Sequence, residues 1–154
     1  MRKTVVITTV LGLCLLGMSG KAQAQDATGS GTLTVAGTPY VFQVTWCDLG
    51  KTQGPDGPTV SGTGMTEGGV RFMVTVDRTT LNNTTYQEVN VYLMDGSGLL
   101  SSSRISMGSG WMTSGGIVPD PLIKIDGQHV SATGAFEDQN SEPAGEGTLE
   151  ADCE

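Results

Sequence analysis

Apolar and polar side chains alternate with a period of two along most of this chain, and that alternation predicts strands. The clearest case is residues 123–136. Asp126-Gly127 separates two alternating runs there. Aspartate tolerates a positive φ and glycine favours it, so the pair predicts a two-residue type I′ hairpin. Ile123 and Ile125 share a face before the turn, and Val130, Ala132 and Phe136 share one after it. A last strand, residues 147–153, turns Leu149, Ala151 and Cys153 inward and Glu150 and Asp152 outward. If that strand lies at a sheet edge, the repulsion of Glu150, Asp152 and Glu154 discourages edge-to-edge pairing.

The same pattern extends upstream. Leu33 and Val35 alternate before a turn at Gly37-Thr-Pro39, and residues 40–46 follow with Tyr40, Phe42, Val44 and Trp46 on one core-directed face. Cys47 falls on the opposite parity from Trp46, so the strand bulges or ends there. Residues 48–58 hold three glycines and two prolines and read as a loop. Residues 59–65 form a weak strand. Val70, Phe72, Val74 and Val76 face inward on the next, and Val89, Val91 and Leu93 on the one after the Asn82-Asn83 turn. Asp95-Gly-Ser-Gly98 turns the chain into residues 99–106. From Met107 to Asp120 glycines surround Trp111 and Met112, and both a loop and a short strand fit. No stretch has helical periodicity. The expectation is an all-β antiparallel sandwich or partly open barrel of about eight or nine short strands.

The first residues change the picture. Arg2 and Lys3 precede an apolar run, residues 5–18, and Ala22-Gln23-Ala24 supplies a small-x-small cleavage pattern. This is the layout of a secretory signal peptide, residues 1–24, cut between Ala24 and Gln25. The apolar run is shorter than the ~20 residues a spanning helix needs, which disfavours a membrane anchor. A lipoprotein signal modified at Cys14 is the sharper alternative, but Leu13 occupies the position where the peptidase wants a small residue. Residues 25–31 read as a flexible lead-in and residues 32–154 as one domain.

Cleavage leaves two cysteines, Cys47 and Cys153, and an exported chain with one distant pair suggests one disulfide. Two free buried thiols are the alternative. Cleavage also leaves five basic residues against sixteen acidic ones, a net charge of −11. So acidic a surface opposes nucleic acid and anionic membranes. The chain is expected to be exported, to the periplasm or beyond.

Candidate chemistry is thin. The only histidine, His129, sits just past a tight turn on the outward parity, without a Gly-x-Ser-x-Gly elbow anywhere. Zinc spacing and an EF-hand-type Asp-x-Asp-x-Asp-Gly loop are both missing, so no metal site and no cofactor is expected. The cluster Glu137, Asp138, Glu142 and Glu146 reads first as a solvated loop. Choosing two of sixteen acids as a glycosidase pair has no basis in spacing. Asn82-Asn83-Thr84-Thr85 holds two overlapping glycosylation sequons. Trp111, with Met112 beside it, is the aromatic best placed for ligand contact; plugging the end of a sandwich is its other role.

Three stretches carry a resemblance. They are Leu33-Thr-Val35 leading to a strand that ends at Cys47, Asp126-Gly-Gln-His-Val-Ser-Ala-Thr-Gly134, and Gly147-Thr-Leu-Glu-Ala-Asp-Cys153. In these the chain resembles the mycobacterial lipoprotein antigen (LpqH-like) family. The resemblance covers both ends of the mature domain and not residues 51–121. It implies pairing of Cys47 with Cys153, and a small surface-exposed or secreted β-domain with a binding or host-interaction role and no catalysis. Family members are lipid-anchored; without a lipobox that property does not transfer. The expected function is therefore a non-catalytic envelope or secreted binding module for a macromolecule or glycan. A carboxylate-based envelope hydrolase and an ion-stabilised structural or adhesive protein are the alternatives.

Overall fold

A computed structural model describes residues 29–49 and 59–154. The expected signal peptide, Cys14, the expected cleavage site between Ala24 and Gln25 and most of the expected loop at 48–58 lie outside the described residues. The strands are β1 (Gly29–Val35), β2 (Thr38–Cys47), β3 (Val60–Met65), β4 (Arg71–Leu81), β5 (Thr84–Leu93), β6 (Leu99–Met107), β7 (Gly110–Thr113), β8 (Gly116–Val118), β9 (Ile123–Asp126), β10 (His129–Asp138) and β11 (Pro143–Cys153).

All pairings are antiparallel, in the order β8-β7-β6-β5-β4-β3-β2-β1-β11-β10-β9, and β6 also pairs with β10. That last pairing closes eight strands into a barrel, so of the expected all-β antiparallel sandwich or partly open barrel the structure takes the barrel, closed rather than partly open, and the strand count rises from about eight or nine to eleven. The closure is short: Ser101 lies opposite Glu137, and Leu100 opposite Asp138. Beyond it β6 pairs with β7 at residues 105–107 and β10 with β9 at residues 129–132, so the two strands part. The β7–β8 hairpin extends from β6 as a flap. The stretch expected as either loop or short strand thus contains two short strands.

An eight-stranded barrel is just wide enough for side chains to fill. Leu33, Phe42, Val44, Phe72, Val74, Val76, Val89, Val91, Val130, Phe136, Leu149 and Ala151 point inward and are buried. Each aliphatic or aromatic side chain taken from water contributes about 1.5–3 kcal/mol. The rings fit because glycines face them. Phe42 lies against Gly31 and Gly62, Phe72 against Gly64, and Phe136 against Gly147. A Cβ at Gly62 would run into the Phe42 ring and the Gln43 carbonyl.

The turns follow local chemistry. Ala36-Gly37 (φ 48° and 84°) and Asn82-Asn83 (φ 50° and 65°) have both central residues left-handed, as a type I′ turn requires. The β9–β10 hairpin turns one residue later than expected. Asp126 pairs directly with His129, leaving Gly127-Gln128 as the loop, with Gly127 alone at positive φ (61°). That places glycine first, as in a type II′ turn.

Cys47 and Cys153 form the disulfide, with Cα atoms 6.1 Å apart. It ties the end of β2 to the end of β11 across β1, which lies between them. A bulge makes this possible. The β2–β3 register shifts between Val44 and Trp46, and the Thr45 hydroxyl donates to the Ser61 carbonyl (3.3 Å). The extra residue reverses the parity, turning Cys47 toward the core and Trp46 outward, where it is 51% exposed. The expectation that Trp46 belongs to the core face is overturned. Two further corrections concern the ends. Residues 29–31 of the expected lead-in belong to β1, and β11 lies between β1 and β10 rather than at an edge.

Candidate functional site

One row of side chains crosses the flap. Tyr86 on β5 lies opposite Ile105 on β6, Ile105 opposite Met112 on β7, and Met112 opposite Ile117 on β8. Residues directly opposite in antiparallel strands touch through their side chains, so the four form one apolar ladder. It faces outward, because Gln87, Val89 and Val91 are the inward residues of β5. Ile117 is 71% exposed, and Tyr86 and Met112 are exposed with it. Leu81 and Met107, each two residues along a strand from this row, widen the same face and are also exposed. No charged residue stands in the row. The flap's own turn is local: the Thr113 hydroxyl accepts from the Gly115 amide (3.1 Å) and donates to the Gly116 carbonyl (3.0 Å).

Of the two residues expected to contact a ligand, Met112 belongs to this ladder and Trp111 does not. Trp111 pairs with Ser106 and Val118 on the flap's other face, and is half-buried. That face looks toward a cleft of about 300 Å³ between flap and barrel, lined by Ser102, Arg104, Thr113, Val118 and Glu137.

Side chains bridge the place where β6 and β10 part. Leu122 and Ile123 are buried there. The Gln87 carboxamide, itself buried, accepts from the Ile123 amide (3.0 Å) and donates to the Ile123 carbonyl (3.4 Å). Arg104 donates to the carbonyls of Asp120 (2.7 Å) and Thr133 (2.8 Å). These hydrogen bonds tie β5 and β6 to residues 120–123 and to β10. Gln87 was legible as inward by its spacing from Val89 and Val91, but a polar residue gives no apolar signal.

The carboxylates gather on strand faces. Asp77 lies opposite Glu88, and its carboxyl is pushed above the usual range, chiefly by burial and further by Glu88, against a lowering hydrogen bond from Thr75. The pair sits on an outward sheet face. His129 lies between Asp152 (Nδ1, 2.8 Å) and Glu150 (Nε2, 2.7 Å). Asp138 accepts from the amides of Asn140 (2.8 Å) and Glu142 (3.0 Å), so it shapes its own turn. Among the described residues, no group of three or more His, Cys, Asp or Glu side chains is arranged to hold a metal ion.

No protein-family model, curated protein or solved structure matches the chain.

Proposed function

We propose that this chain is an exported, non-catalytic binding module that docks a partner protein on the outward face of its flap. The observation that carries this reading is the ladder Tyr86–Ile105–Met112–Ile117. Contiguous exposed apolar side chains on a soluble surface mark interaction sites, and methionine and tyrosine are enriched in them. A protein partner is favoured over a glycan because the row is aliphatic and thioether-rich, with one tyrosine as its only ring. The Cys47–Cys153 disulfide fits an oxidising compartment, periplasmic or extracellular. The resemblance to the lipoprotein antigen family points the same way.

The test is a photo-crosslinking side chain placed at Met112 in the native host, with Thr148 on the far outer face as control. A covalent adduct to one defined protein, formed from position 112 and not from 148, is the expected result. Equal adducts from both positions, or none, overturn the docking face. Reproducible turnover of an envelope polymer by the purified chain overturns the non-catalytic reading.

A further inference from the structure

The barrel is filled in its middle, and the disulfide lies at one pole. The strand directions bring the turns at residues 36–37, 66–70, 94–98 and 139–142 to the other pole. Between the last two turns a cavity of about 230 Å³ remains, with Val91 at its floor, Tyr40, Leu93 and Leu100 as walls, and Ser97 and Asp138 on its rim. The walls come from inward positions of β2, β5 and β6. The Tyr40 ring is set edge-on against Phe72, centroids 5.3 Å apart, so the wall has a fixed orientation.

Size and chemistry together select an occupant. An apolar cavity of about 150 Å³ is enough for benzene, so this one takes an aromatic ring or a branched alkyl group. Mouths of β-barrels are recurrent small-ligand sites, where a few polar groups orient a mostly apolar ligand. Here the charged rim group is Asp138. The ion pairs among the described residues join Lys124 to Asp120 and His129 to Glu150 and Asp152, and Asp138 is in none of them. Hydrogen bonds donated by the backbone amides of Glu142 and Asn140 hold its carboxyl below the usual range, so it is ionised.

We propose that this mouth binds a small cationic amphiphile, an ammonium carried on one aromatic or branched alkyl group. The apolar end lies among Tyr40, Leu93 and Leu100, and the ammonium meets Asp138. The site is at the opposite pole from the disulfide and is independent of the flap ladder.

The test uses the full mature chain with methyl-labelled leucines, titrated with phenethylammonium, 2-phenylethanol and 3-phenylpropionate, which present a cation, a neutral group and an anion on one ring. The expected result is shifts at the Leu93 and Leu100 methyls, with the cation bound about two- to fivefold more tightly than the neutral alcohol, the size of an exposed charge contact, and the anion weakest. Asp138→Asn keeps an oxygen for the turn amides, and should bring cation and alcohol to equal affinity while the methyl shifts persist. Leu100→Trp, or Leu93→Phe as a second filler, should abolish binding of all three. Absence of methyl shifts at millimolar ligand overturns the proposal. So does equal binding of cation and anion by the native chain, or a cation preference that survives Asp138→Asn.

Discussion

The carboxamide of Gln87 pairs with both polar groups of the Ile123 peptide, taking the place a neighbouring strand would occupy on the free edge of β9. All four atoms are donors and acceptors removed from water, and an orphaned buried group costs about 1–3 kcal/mol. Gln87→Leu keeps the volume and orphans two groups, so urea unfolding should show a loss of about 2–6 kcal/mol. A loss below about 0.5 kcal/mol, the range of an ordinary surface substitution, would show that the edge does not need its surrogate strand.

Gly62 on β3 lies against the Phe42 ring of the neighbouring strand β2. Its Cβ would also meet the Gln43 carbonyl, which cannot swing away as a side chain can. Gly62→Ala should therefore destabilise by about 1–3 kcal/mol. Pairing it with Phe42→Leu should recover part of that loss, and a double-mutant cycle measures the coupling.

Both ring nitrogens of His129 face carboxylates, which only accept, so the pair of contacts requires the imidazolium. Hydrogen bonds that its ring N–H groups donate to Asp152 and then Glu150 raise its pKa above the ordinary 6.5. A histidine with a raised folded pKa contributes its full stabilisation below 6.5 and loses it as the pH rises through the folded value. The thermal midpoint of the native chain should thus fall toward that of His129→Gln as the solution turns alkaline. Parallel midpoint curves for the two proteins across that window would refute the clamp.

The disulfide spans a sequence separation of 106. In the chain-entropy model a loop of that length is worth at most about 4–5 kcal/mol. Reduction, and the double substitution Cys47→Ser with Cys153→Ser, should lower stability by similar amounts up to that figure. Alkylation of the native chain should require prior reduction.

Much of the barrel was legible because its strands alternate and its turns carry asparagine or glycine at left-handed positions. Asn82-Asn83 is such a case: both residues adopt the φ values that their side chains tolerate. The faces of β4, β5, β10 and β11 followed from the period-two spacing of their apolar residues alone. What was not legible depends on register. One extra residue at Thr45 reverses the parity of β2, exposing Trp46 and turning Cys47 inward, and nothing in residues 40–47 marks which residue is extra. Closure rests on two residue pairs between segments more than thirty positions apart, and no local pattern encodes such a pairing. The ladder was half visible through Met112. Its other members, Tyr86, Ile105 and Ile117, align only once β5 to β8 are paired.

Gly29 lies directly across from Cys153. The two ends of the described chain therefore leave the barrel side by side, at the disulfide pole. A fusion partner, tag or solid support joined at either end stands behind the barrel like the stem of a cup, with the rim at Asp138 turned the other way. Immobilised by either terminus, the protein should offer its cavity to solution unobstructed, and grafts intended to block that cavity belong in the turns at 94–98 or 139–142.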